Sequence, residues 1–441
     1  MNHRLLIAAA LAALAFAPAT ASAQWSSSNM GASTVSLGVN DMDMPARDVV
    51  WGIHYDGSGA GTAPVQDMFV TTDNGGSWLT NTIITANSAG KTLTNVSALD
   101  GSTAYFGGFD ADNGGGLLFK TADGGNTFSE ITIPTMTYLN IVHFFDATTG
   151  LVMGDPTGTG TYWEVFRTTD AGATWARVPQ ANIPAANAGD YGFTNQFTAV
   201  GDNVWFTSNK GSIYHTTDRG VTWMKHTTGL TGTSTTAAVR ALAFSDAMNG
   251  VVVGSTGAMR RTTDGGATFT AVTPTGTVYN TNLAAVPGAP NTYVGVSATA
   301  GATGSSVTTD GGQTWTVLDM GGDQYTDVIF FDGQRGWAGG FTGMGGVGGA
   351  FQYTGAPLAT RADVVREAAA VYPNPTTGRV YLTGADARET VTVYDQAGRL
   401  TLRQPVGATA TLDLSTQPVG LYQLVFTGGK VARSSRVAVT R

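Results

Sequence analysis

Thr71-Thr72-Asp73-Asn74-Gly75-Gly76-Ser77-Trp78 is the stretch on which the reading of this chain turns. Its pattern is Thr-x-Asp-x-Gly-x-Ser/Thr-aromatic. It returns as Thr121-Ala122-Asp123-Gly124-Gly125-Asn126-Thr127-Phe128, and again around Asp170 (Thr168 to Trp175), Asp218 (Thr216 to Trp223), Asp264 (Thr262 to Phe269) and Asp310 (Thr308 to Trp315). The aspartates are 50, 47, 48, 46 and 46 residues apart. A period of that length, with strand-like sequence between copies, fits β-propeller blades of four strands each. The octapeptide suits a hairpin. Its carboxylate can accept N–H groups of its own turn, its glycine permits positive φ, its hydroxyl can bond back, and its aromatic returns to the sheet core.

A second motif lies between the boxes. Ile141 to Asp146 precedes Gly150 to Gly154, Leu242 to Asp246 precedes Gly250 to Gly254, and Val328 to Asp332 precedes Gly336 to Gly340. Each reads as strand, Asp-containing turn, strand. The third has no box after it, and Phe351-Gln352-Tyr353-Thr354 reads as a third strand whose box is lost. This implies a seventh blade without an outer strand, which Ser33-Thr34-Val35-Ser36-Leu37-Gly38 is expected to complete. Such closure joins the chain ends and removes an open edge. A six-bladed ring with 324–354 as an appendage is the alternative. The glycine-rich stretch Gly339 to Gly349 reads as a flexible loop.

Composition supports an all-β chain. Of 441 residues 60 are glycine, and 12% are charged against a typical value of about 25%. Residues 1–355 carry 13 Lys/Arg and 25 Asp/Glu, a net −12, whereas 356–441 carry 10 and 6, a net +4. The acidic body argues against nucleic acid or anionic membrane as partner, and the change of sign marks a domain boundary. The absence of cysteine excludes disulfides, thiol catalysis and thiolate metal sites. Arg4, the apolar run Leu5 to Phe16 and Ala21-Ser22-Ala23 form a signal-peptide pattern, with a mature start at Gln24. No later segment is apolar enough to span a bilayer as a helix.

Over residues 33–355 the repeat resembles the Asp-box, or BNR, family, whose propellers include sialidases, xyloglucanase-type glycosidases, sortilin-type receptors and photosystem II assembly factors. Gly150-Leu151-Val152-Met153-Gly154-Asp155-Pro156 and Arg167-Thr168-Thr169-Asp170 are similar to bacterial relatives of the photosystem II stability factor. That resemblance implies a binding or assembly propeller more than a named reaction. The box aspartates repeat once per blade at the periphery, so they read as structural. No sialidase-type arginine motif is present, and Arg167, Arg219 and Arg261 sit beside boxes. A glycosidase needs two carboxylates about 5–10 Å apart. Outside the boxes the candidates are Asp56, Asp155, Glu164, Asp190 and Asp327, none in a distinctive motif. His54, His143, His215 and His226 are not paired at metal-ligand spacing. Asp110-Ala111-Asp112-Asn113-Gly114 begins like a calcium loop but lacks the later ligands. No catalytic residue, cofactor site or metal site is assigned.

Residues 356–370 read as a linker. Beyond them come Val371-Tyr372-Pro373-Asn374-Pro375, Val391-Thr392-Val393-Tyr394-Asp395, Leu412-Asp413-Leu414-Ser415, Gly420 to Phe426 and Arg436 to Arg441. The alternation predicts a small β-sandwich. The ordered motifs resemble the type A sorting domain of type IX secretion across 371–441. The resemblance implies the secretion machinery as partner and a secreted or cell-surface destination. The expectation is therefore a signal peptide (1–23), a seven-bladed propeller (24–355), a linker and a sorting sandwich. Its function is to bind an extracellular glycan or protein. The alternative is an extracellular glycoside hydrolase with paired carboxylates at the central cleft.

Overall fold

The computed structural model describes residues 24–31, 36–59, 64–110, 115–157, 162–232, 237–320, 322–343, 348–358, 370–383, 389–395, 399–407, 410–427 and 433–440. The leader, Ser33 to Val35, Ala111 to Gly114 and most of the expected linker lie outside that set. The chain divides into two units, Met1–Ala359 and Thr360–Arg441.

The first unit opens with β1 (Trp25–Asn29) and then repeats one device, a four-stranded antiparallel meander. The first meander is β2 (Leu37–Ala46), β3 (Val49–Asp56), β4 (Asp67–Thr71) and β5 (Leu79–Thr82). The next is β6 (Thr92–Ala98), β7 (Ala104–Phe109), β8 (Gly116–Thr121) and β9 (Ser129–Thr132), followed by β10 (Ile141–Phe144), β11 (Gly150–Thr157), β12 (Tyr162–Thr168) and β13 (Ala176–Arg177). Then come β14 (Phe197–Val200), β15 (Asn203–Thr207), β16 (Ser212–Thr216) and β17 (Met224–Thr227), and after them β18 (Val239–Phe244), β19 (Gly250–Gly254), β20 (Met259–Thr262) and β21 (Thr270–Val272). The meander β22 (Asn282–Ala285), β23 (Tyr293–Ser297), β24 (Gly304–Thr308) and β25 (Thr316–Met320) precedes β26 (Asp327–Asp332), β27 (Arg335–Thr342) and β28 (Gly348–Tyr353). The first strands lie beside one another in succession, β2 next to β6, β18 to β22, β22 to β26, and β26 back to β2.

All six boxes join a third strand to a fourth and share one set of bonds. In the first, Thr71 Oγ1 donates to Asp73 Oδ1 (2.8 Å), the Gly75 N–H to Thr71 Oγ1 (2.8 Å), and Ser77 N–H and Oγ to the two oxygens of Asp73 (2.8 and 2.7 Å). Gly75 has φ +80°, and a Cβ there would meet Trp337 at 2.4 Å. Turns between first and second strands use another aspartate. Asp100, Asp146, Asp246 and Asp332 each accept the backbone N–H two residues on. In an antiparallel meander these turns and the boxes fall at the same end of the sheet, called here the box end.

The last sheet is completed by β1, not by Ser33 to Gly38 as the sequence predicts. Trp25 pairs with Tyr353 and the register runs to Asn29 opposite Gly349. Trp25 buries its ring against Tyr325, Phe330 and Tyr353, and its Nε1 donates to Ser305 Oγ (2.9 Å). Leu37 and Gly38 instead begin β2, meeting the end of β27 through the pair Gly38–Phe341 and the Leu37 N–H bond to Thr342 Oγ1 (3.0 Å). Of the expected glycine-rich loop, 339–342 and 348–349 are strand, and 344–347 lie outside the described residues. Gly339 and Gly340 lie in β27, where a Cβ would meet Val39 at 2.4 Å and the Gln324 carbonyl at 2.6 Å. Between sheets the core is aromatic, as where Tyr105 stacks on Phe144 at 3.6 Å and Trp205 on Phe244 at 3.9 Å.

The second unit contains β29 (Ala370–Tyr372), β30 (Arg379–Thr383), β31 (Thr390–Tyr394), β32 (Leu400–Pro405), β33 (Thr411–Asp413), β34 (Gly420–Thr427) and β35 (Arg433–Val439). They form the sheets β29-β30-β33 and β32-β31-β34-β35, which share a core that includes Val380, Leu382, Val391, Val393, Leu412, Leu424 and Phe426. Peptide bonds Tyr372–Pro373 and Asn374–Pro375 are cis.

Candidate functional site

A first strand has only one ladder partner within its sheet, so one edge of its backbone faces the axis and the next sheet. In this chain side chains on those strands, or one residue before them, satisfy that edge. Asn95 on β6 donates to the Val142 carbonyl (2.8 Å) and accepts the Val142 N–H (2.9 Å) on β10, and Ser97 Oγ accepts the Phe144 N–H (2.9 Å). Gln196 donates to the Val239 carbonyl (2.9 Å), and Thr326 Oγ1 to the Val39 carbonyl (2.7 Å). On β2 the same work falls to carboxylates. Asp41 accepts the Val96 N–H and Asp43 the Ala98 N–H, both at 2.7 Å. Asp327 on β26 accepts Asn282 Nδ2 (2.5 Å) and the Met42 N–H.

Around the axis these strands enclose a cavity of about 620 Å³, within the usual range of about 300–1,000 Å³ for ligand pockets. Its lining includes Asp41, Asp43, Asp327, His143, Asn195 and Arg240. Burial raises all three carboxyl groups, Asp43 to about 6 and Asp327 to about 7. Asp41 also stands well above the usual range, through burial first and then repulsion by Asp327 and Asp43. Burial pushes His143 down to about 4. Arg240 lies at a bulge in β18, between the paired residues Val239 and Ala241, and is exposed.

The two ends of the channel differ. The connection from β13 to β14 is long, and its Asn195, at φ +58°, reaches across to the Asn40 carbonyl (3.4 Å) and to Asp41 of the first sheet. The Asn195 N–H donates to the Asn140 carbonyl (3.3 Å), and Gly192 N–H to Asp155 (2.8 Å), tethering the crossing. It lies opposite the box end. At the box end the lining includes the exposed turn residues Pro287 and Gly288.

Of the carboxylates singled out from sequence, only Asp327 lines the cavity. Asp56 accepts the Ser58 N–H (2.9 Å) and caps a turn. Asp155 accepts Asn140 Nδ2 (2.7 Å) and the Gly192 N–H. Glu164 accepts the Thr137 N–H (2.8 Å) and the Thr157 hydroxyl (3.0 Å), and Asp190 accepts the Asn187 N–H (2.9 Å). The histidines lie on four different strands. His54 is buried against Phe69, His143 lines the channel, His215 stacks on Trp205 (4.4 Å), and His226 is on β17. Asp110 pairs with Lys91 (3.3 Å), and the rest of its motif lies outside the described residues. Asp41 and Asp43 were not legible as site residues, although their spacing of two places both on one strand face.

Residues 370–440 match the family of secretion system C-terminal sorting domains. No curated protein matches the chain. Among solved structures, YCF48 bound to D1 peptide aligns with a TM-score of 0.54 at 16% identity, covering 77% of this chain and 99% of that one. YCF48 from Cyanidioschyzon merolae aligns with a TM-score of 0.54 at 15% identity, covering 75% of this chain and 99% of that one. At such identity the likeness shows the fold alone. Residues 370–440 thus match the C-terminal sorting domain of type IX secretion, and the chain is a secreted or outer-surface protein with a β-propeller fold.

Proposed function

We propose that the chain is a binding or scaffold protein whose ligand sits in the channel of a seven-bladed Asp-box propeller. The seventh blade is β26-β27-β28 with β1 as its outer strand. The signal peptide 1–23 starts export, and the C-terminal β-sandwich, 371–441, is the part that the type IX machinery reads. The ligand is an extracellular glycan or protein.

One observation carries the binding reading over the hydrolase. Each channel carboxylate already holds a backbone N–H of a neighbouring strand. A glycosidase's two carboxyl groups must face the scissile bond, one giving or taking a proton and the other attacking or activating water. Asp41, Asp43 and Asp327 instead replace the ladder bonds that a first strand lacks. The test is retention of the mature protein on a panel of immobilised glycans and extracellular proteins. Retention that is lost on filling the channel from the half-buried lining residue Thr198, by Thr198→Trp, in a protein that remains folded, supports the reading. Retention unchanged by that substitution places the ligand elsewhere and overturns it.

A further inference from the structure

We propose that Arg240 makes the channel a site for an anionic group, a carboxylate, sulfate or phosphate carried by the ligand. This rests on the channel being the binding site. The bulge at Val239–Ala241 takes Arg240 out of the β18–β19 register, and the residue is exposed. It makes no ion pair among the described residues, although the same cavity holds three aspartates. Those aspartates are on β2 and β26 and are held by neighbouring strands. Arg47, Arg167 and Arg219 of this unit are paired or bonded to neighbours: Arg167 donates to the Arg219 carbonyl (2.7 Å). Arg219 is neutralised by Asp146 and Asp202, both at 2.6 Å, and Arg47 by Asp332 at 2.5 Å. A guanidinium left free in a concave, polar site presents a fork of donors that fits a planar or tetrahedral oxyanion.

The titratable groups that share this cavity set its pH dependence. They are Asp41 and Asp43 on β2, Asp327 on β26 and His143 on β10; the β6, β14 and β22 linings, with Val96, Thr198 and Asn282, are uncharged. At acid pH the carboxyl groups are protonated and the cavity is net positive. As they ionise, with Asp43 at about 6 and Asp327 at about 7, they repel a bound anion. His143, at about 4, stays neutral through that range.

The experiment is calorimetric titration of the mature full chain with sulfate, inorganic phosphate and galacturonate, at about pH 5 and about pH 8. At least one anion should bind, about tenfold or more tightly at the lower pH, as one or two like charges across a cavity imply. Arg240→Gln should weaken it by about ten- to a hundredfold, Arg240→Lys should restore part, and Asp43→Asn should flatten the pH dependence. Unfolding curves check that each variant remains folded. Which of the three anions binds tightest identifies the chemistry. Binding equal in Arg240→Gln and the parent, or no binding of any anion at either pH, overturns the proposal. In that event retention on the glycan and protein panel, if abolished by Thr198→Trp, leaves the broader channel reading standing.

Discussion

Replacing Trp25 with alanine tests the closure of the ring. Trp25 is the one buried side chain of β1, 6% exposed, and it packs on three aromatic rings. A buried tryptophan covers about 150–250 Å², which at about 25 cal/mol per Å² corresponds to about 4–6 kcal/mol. Measured tryptophan truncations of about 3–5 kcal/mol agree. The Nε1 bond to the buried Ser305 hydroxyl adds about 1 kcal/mol. We expect a loss of about 4–6 kcal/mol. With an unfolding entropy of about 2.1 cal/mol/K per residue over roughly 330 residues, the midpoint should fall by about 6–9 °C. The assay is urea and thermal unfolding followed by circular dichroism, with the exposed neighbour Ser26→Ala as control. If Trp25→Ala lies within about 0.5 kcal/mol of that control, β1 does not close the propeller, and closure through residues 33–38 regains its place.

The register of β1 gives a second test. Ser26 faces Gln352 across the strands, so Ser26→Cys with Gln352→Cys should oxidise to an intramolecular disulfide seen as a mobility shift without reductant. Asn95→Ala removes both partners of Val142, and at about 1–3 kcal/mol for each stranded backbone group it should cost about 2–6 kcal/mol in urea unfolding. Stability should fall at both ends of the pH range. Asp73, Asp123, Asp170 and Asp264 are held at about 2, chiefly by the hydroxyl at the end of each box, so their stabilisation is present above the ordinary 3.8 and is lost as pH falls toward about 2. Asp43 and Asp327, raised to about 6 and about 7, keep protons in the native state that the unfolded chain has released above 3.8, so stability declines as pH climbs through that window. Urea midpoints should be higher at about pH 5 than at about pH 8, and Asp327→Asn should reduce the difference.

The repeat was legible because its chemistry is local. Each box carries its own acceptor, its positive-φ glycine and its returning aromatic within eight residues, and each Asp turn is equally self-contained. β1 was not. Trp-Ser-Ser-Ser-Asn buries only its first residue, leaving no alternation to read, and its partner is more than 300 residues away. β2 was mistaken for a different reason. Asn40, Asp41, Asp43 and Pro45 are residues that strands disfavour. They are accommodated in β2 because their side chains supply hydrogen bonds to the next sheet or because the strand lies at a free edge. That substitution of side chain for backbone also hid the site. Asp41 and Asp43 look like turn residues, and Arg240 becomes distinctive only when its bulge and its place in the cavity lining are seen.

Release of reducing ends from the glycan panel by the mature chain tests the central claim most directly, because it asks whether the channel carboxylates do chemistry or hold strands together. The account predicts retention of ligand without release, with Asp327→Asn altering stability and its pH dependence but no turnover. Sustained release from any one glycan, abolished by Asp327→Asn in a protein that remains folded, would contradict it.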